Sequence, residues 1–185
     1  MMNTKKQWLS ILGTGLLVVA WVGFIFSHSL QTGAESSSVS GEIVRLMSQL
    51  FPTVTSWFTS DQLQFFIRKL AHFSEYAILG LWLWLFWLKV TQVIVTKLTR
   101  PTYQAQTKQR RYSLRECRTL MWLTVMFSAL SGLVTAVMDE TLQTFIPNRA
   151  GLLTDVWIDF SGLIIMLSFI AIIWYQINKR KTVGK

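Results

Sequence analysis

The chain has 185 residues, 51% of them hydrophobic and 14% aromatic, with a net charge of +9 and a positive mean hydropathy of +0.39. That length is about one domain, and the long uncharged runs exclude an ordinary soluble fold. The single cysteine, Cys117, excludes an internal disulfide framework or a CxxC metal site, and as an isolated thiol it reads as buried and idle.

The first element follows Lys5 and Lys6. From Gln7 to Ala34 no Lys, Arg, Asp or Glu occurs, and a spanning helix needs roughly 20 apolar residues. The run exceeds the roughly 7–15 residues of a signal-peptide core and has no A-x-A site after it, so it reads as a retained span. Four spans are predicted, over residues 8–27, 69–88, 119–138 and 155–177. The expected fold is all-α: an integral membrane four-helix bundle in one domain, residues 1–185. Between the first two spans, Ile43, Leu46, Met47, Leu50 and Phe51 recur at helical spacing before Pro52. They predict an amphipathic helix lying on the membrane surface in the first outer loop. Thr59 and Gln62 match a capping box opening the next helix.

The loops alternate in charge. Lys5 and Lys6, the 89–118 segment and the C-terminal tail are basic, whereas Glu35, Glu42, Asp61, Asp139, Glu140 and Asp155 make the other two loops acidic. The excess of Lys and Arg marks the cytoplasmic side. Both termini are therefore expected in the cytoplasm, in a multi-pass plasma-membrane protein. Basic groups beside anionic lipid account for the net charge, and no nucleic-acid partner is expected.

Ionisable residues in the spans carry the functional signal. At about 1.5 Å per residue, Glu75 lies roughly 21 Å from an inner boundary at Lys89, within a core of about 30 Å. Asp139, Glu140, Asp155 and Asp159 reach a similar outer level. Arg68, His72 and Glu75 are spaced i, i+4, i+7; Asp139 and Gln143 are spaced i, i+4; Asp155, Asp159 and Gly162 repeat the longer pattern. Each set shares a helix face, and charges within a bilayer pair or face a wet cavity. The expected solution is one outward-opening polar pocket, with Arg68, Lys69 and Arg149 against Glu75, Asp139, Glu140, Asp155 and Asp159. Ser27, His28 and Ser29 either line it or wet the end of the first span. Carboxylates are compatible with a divalent metal, but only His28 and His72 exist to build a zinc set. Neither a metal nor a cofactor is expected.

Three strings resemble the VanZ-like family: R-K-L-A-H-F-S-E-Y-A-I-L-G at 68–80, D-E-T-L-Q-T-F-I-P-N-R-A-G-L-L-T-D-V-W-I-D-F-S-G at 139–162, and F-S-H-S-L-Q-T-G-A-E-S-S-S-V-S at 26–40. Together they cover about residues 10–175. The family commonly has Asn where this chain has Asp159. The resemblance implies a membrane protein of Gram-positive type, whose namesake is associated with resistance to teicoplanin-type lipoglycopeptides and far less to vancomycin. The motif residues it carries over are Arg68, His72, Glu75, Asp139, Glu140, Gln143, Arg149, Asp155 and Asp159.

Three functions compete. In the first, the pocket binds a membrane lipid, a lipid-linked cell-wall precursor or a lipoglycopeptide head group, through Arg68, Lys69, Gln143, Arg149, Asp155, Asp159 and Ser27. In the second, the protein is a membrane-embedded enzyme on a lipid-linked substrate, with Glu75, His72, Asp139 and Glu140 as its acid–base set. In the third, it is a non-catalytic partner of another membrane protein, docking through the Trp82, Trp84 and Trp87 face.

Overall fold

The computed structural model describes residues 4–99 and 114–183. Among them the chain is helical, with no strand: α1 (Thr4–Ser29), α2 (Gly33–Leu50), α3 (Pro52–Thr55), α4 (Ser60–Thr99), α5 (Leu114–Gln143) and α6 (Leu153–Val183). Four of these are long and apolar enough to cross a membrane, so the protein is a multi-pass membrane bundle.

Every span runs longer than its apolar stretch. α4 begins nine residues before Lys69 and continues past Leu88 to Thr99, so the ends of the 89–118 segment are helical; its middle, with Arg100, Lys108, Arg110 and Arg111, lies outside the described residues. A helix satisfies its own backbone in lipid and in water alike, so the change from apolar to charged residues ends the span without ending the helix. α4 opens with the expected box: Thr59 N–H donates to Gln62 Oε1 at 3.0 Å, and Gln62 N–H to Thr59 Oγ1 at 3.3 Å.

α2 starts earlier than its apolar residues indicate. Thr32 caps it, with Glu35 completing a reciprocal box. The amphipathic stretch 43–51 forms its second half, with Leu46 and Leu50 exposed. Pro52 follows, has no N–H to continue the helix, and opens the single turn of α3.

α4 is the central element and touches α1, α2, α5 and α6. Tyr76, Leu79, Leu83 and Trp84 of α4 pack with Ile25 of α1, Ala136 of α5 and Leu163 and Leu167 of α6. α6 approaches α4 closely at Gly162, where an added Cβ would lie 2.2 Å from Phe73 O. Small residues at membrane helix crossings permit this backbone approach, and here it sets the spacing beside the polar cluster. Trp84 is buried in this core, and Trp87 Nε1–H donates to Ser131 Oγ at 3.1 Å. Two of the three tryptophans of the expected partner-docking face are thus used inside the bundle. Cys117 is buried.

Candidate functional site: a polar cluster under two open clefts

The site forms where α1, α4, α5 and α6 meet beneath α2 and the 144–152 loop. α4 supplies Arg68, Lys69, His72, Glu75 and Tyr76 within little more than two turns. Each neighbouring helix takes one part of that row.

Lys69 Nζ pairs with Asp155 Oδ1 at the start of α6 and sits 5.2 Å from the Phe65 ring centroid. Glu75 Oε1 meets His28 Nδ1 of α1 at 2.8 Å, and Trp21 Nε1–H donates to Glu75 O at 2.9 Å. His72 Nδ1 lies 3.6 Å from Asp159 Oδ1, too far for a hydrogen bond. Asp139 and Asp159 are both fully buried; Asp159 has no hydrogen-bond partner among the described residues, and Asp139 has only Ser29 and Gln143 beside it, outside good hydrogen-bond geometry. Ligand atoms of His72, Asp139 and Asp159 all lie within 4.8 Å of one another. Ser29 Oγ and Tyr76 OH are also buried without a partner. Ser29 stands beside Asp139, and Tyr76 is within electrostatic reach of both aspartates.

Glu140 is next to Asp139 in sequence but has a different role. Its Oε2 accepts from Leu152 N–H at 2.9 Å and its Oε1 from Gln143 Nε2 at 3.2 Å. Oε2 thus ties the far end of the 144–152 loop to α5, and Oε1 is used within the last turn of α5. That loop carries Asn148, whose φ of 60° is the one positive value among the described non-glycine residues. Gly33, the first residue of α2, sits where a Cβ would be 2.6 Å from Asn148 O. The loop and α2 are thereby pressed together over the cluster.

Two open clefts lead in. One, about 390 Å³, runs between α2 and α4 and is lined by His28, Ser40, Ile43, Ala71 and Glu75 among others. The second, about 260 Å³, lies toward the 144–152 loop and is lined by Lys69, Gln143, Asn148 and Asp155 among others. Ser36, Arg68, His72 and Arg149 line both. Arg149 Nη1 donates to Ser29 O at 3.3 Å. Neither Arg68 nor Arg149 forms an ion pair among the described residues. Burial pulls the Arg149 guanidinium below its usual value; Asp139 and Glu140 oppose this, and Arg68 adds to it.

The structure therefore brings Arg68, Lys69, His72, Glu75, Asp139, Glu140, Gln143, Arg149, Asp155 and Asp159 to one end of the bundle. Ser27 is exposed and returns its hydroxyl to Phe24 O at 2.7 Å; its neighbours His28 and Ser29 are the ones that turn inward. Ser29 was among the candidate lining residues of the first span, whereas Tyr76 was missed. Tyr76 follows His72 by four residues, so the polar stripe itself pointed to it.

The VanZ/LLP1 family model matches residues 14–175. The chain belongs to the VanZ/LLP1 family. The match spans all four membrane helices and the whole polar cluster. No curated protein and no solved structure matches the chain. The assignment makes this a VanZ-like membrane protein, in a family linked to antibiotic resistance.

Proposed function

We propose that this VanZ-like protein binds an anionic head group at the outer face of the plasma membrane. The ligand class is a lipid-linked cell-wall precursor or the head group of an acyl-bearing glycopeptide of the teicoplanin type, and the outcome is tolerance to that antibiotic. The observation that carries the reading is the pair Arg68 and Arg149. Both line both clefts, and neither has a carboxylate partner among the described residues. Two guanidinium groups held near each other repel, and a phosphate or carboxylate between them relieves that repulsion while using their planar donor forks. Val39, Ile43, Ile67 and Ala71 add an apolar wall to the larger cleft, suited to the first carbons of a lipid tail. The orientation rests on charge: Lys89 and Lys97 on α4 and Arg115 and Arg118 on α5 lie toward the opposite end of the bundle, as expected for the cytoplasmic side.

A second reading, acid–base catalysis on a lipid-linked substrate, is favoured by the His28–Glu75 contact and by the unpartnered Asp139 and Asp159 beside His72.

Susceptibility of a Gram-positive host to teicoplanin and vancomycin separates the two, with expression matched across variants. Binding predicts that the wild-type protein raises teicoplanin tolerance selectively, that Arg68→Glu and Arg149→Glu remove the effect, and that Glu75→Gln keeps it. Loss with Glu75→Gln and retention with Arg68→Glu would transfer the function to the acid–base set.

A further inference from the structure

We infer that His72, Asp139 and Asp159 form a binding site for one divalent transition-metal ion, of the manganese or zinc kind, at the floor of the clefts. The three donors come from three different helices, α4, α5 and α6, and their ligand atoms lie within 4.8 Å of one another. Ligands on a common metal at about 2.0–2.2 Å stand roughly 3–4 Å apart, so small rotations of the two carboxylates complete the set. The His72–Asp159 pair, at 3.6 Å, is already at that spacing.

Burial and hydrogen bonding separate this cluster from a solvated acidic patch. Both aspartates have zero exposure, and none of their four oxygens is in good hydrogen-bond geometry with a partner among the described residues. A buried carboxylate without a partner is among the most costly arrangements in a protein, and more so within a bilayer. Lys69 is committed to Asp155, and Arg149 reaches Ser29 O instead of either aspartate. Among the described residues no lysine or arginine pairs with either aspartate, and a dication would neutralise both directly.

The independent sign lies in two neighbours that are not acidic. Tyr76 OH is wholly buried, has no hydrogen-bond partner among the described residues and is within electrostatic reach of both aspartates, and Ser29 Oγ, equally buried, stands beside Asp139 without good hydrogen-bond geometry. Three protein ligands leave a metal open positions for water or substrate, and hydroxyls placed beside the cluster are suited to hold such waters. One imidazole with two carboxylates fits manganese or zinc better than calcium or magnesium, which favour oxygen alone. His72 lines both clefts, which gives the ion a path in. The three donors include neither arginine, although His72 shares both clefts with them.

The test is metal content and thermal unfolding of the full-length protein in detergent. The protein is stripped with chelator, dialysed against manganese or zinc chloride, washed, and analysed by elemental mass spectrometry. The expected result is about one ion per chain and a raised Tm on loading. Asp139→Asn and Asp159→Asn should each lower the affinity at least tenfold and abolish the Tm rise, whereas Asp61→Asn, at an exposed carboxylate in the first turn of α4, keeps both. His72→Gln should weaken zinc more than manganese. Should an aspartate variant fail to fold, the His72→Gln and Asp61→Asn comparison decides alone. Metal no higher than in a buffer control, or equal retention by all variants, overturns the site and leaves two carboxyl groups sharing protons.

Discussion

The two ends of this bundle treat buried polar groups in opposite ways. Toward the termini, Thr91 Oγ1 and Thr124 Oγ1 meet across α4 and α5 at 2.9 Å, and each also bonds its own helix backbone. Trp87 donates to Ser131, whose hydroxyl in turn donates to Phe127 O. Lys89 Nζ holds Ser10 O of α1 at 3.2 Å. These groups are neutral or near the helix end, and they act as glue between helices. Ser128 Oγ is the exception there, a single neutral hydroxyl. At the other end, two fully buried carboxylates, a tyrosine and a serine stand unpaired within one cluster. Folding alone would favour apolar residues at those positions. The contrast separates polarity satisfied within the packing from polarity that the packing leaves open.

The largest effect that tests this contrast comes from two carboxylates on adjoining helices. Glu140 is satisfied and Asp159 is not. Glu140→Ala leaves Leu152 N–H and Gln143 without an acceptor and should destabilise by about 1–3 kcal/mol. Asp159→Asn replaces a buried carboxyl that no hydrogen bond holds by a neutral group of the same shape, so in chelator-treated protein it should change stability by less than about 1 kcal/mol. Thermal unfolding in detergent reads both, and a clear loss of stability in metal-free Asp159→Asn would erase the distinction between the two ends.

A smaller effect is expected at the other end. Thr91→Val, Thr124→Val and the double variant form a cycle, whose coupling energy should be about 0.6 kcal/mol, the typical value between membrane helices. The double variant should be close to wild type, since both partners become apolar together. A coupling above about 2 kcal/mol would show that this pair is more than glue.

Much of this was legible in the primary structure. Long apolar runs marked all four spans, because a bilayer imposes a length and makes charge rare. The stripes Arg68–His72–Glu75, Asp139–Gln143 and Asp155–Asp159 were readable from helical spacing, and the bundle does bring them together. The partners were not readable. Which cation meets which acid depends on how the helices are rotated about one another. Glu75 goes to His28, Lys69 to Asp155, and the two deep aspartates to no lysine or arginine among the described residues. Counting histidines for a zinc set also overlooked that one imidazole and two carboxylates from three helices could converge. The N-terminal half of α2 escaped its apolar pattern because it is serine-rich and begins on a cap.

That cap supplies the smallest and most local test. Thr32 N–H and Oγ1 both donate to Glu35 Oε2 at 2.8 Å, and Glu35 N–H donates to Thr32 Oγ1 at 3.3 Å. The bond from the Thr32 backbone, then that from its hydroxyl, holds the Glu35 carboxyl below its ordinary value. A carboxylate with a depressed folded value contributes its stability in full above the ordinary carboxylate range and loses it as pH falls through the lowered value. The first turn of α2 should therefore keep its amide protection at neutral pH and lose it in acid, as hydrogen exchange across a pH series would show. In Glu35→Gln the protection at α2 should be weaker and nearly flat with pH. Because Ser36 lines both clefts, acid should loosen their α2 wall while leaving the Thr91–Thr124 region unchanged. Equal acid loosening at both places would mean that the ends of the bundle are not independent, and the contrast between them would then be one of chemistry without a matching difference in stability.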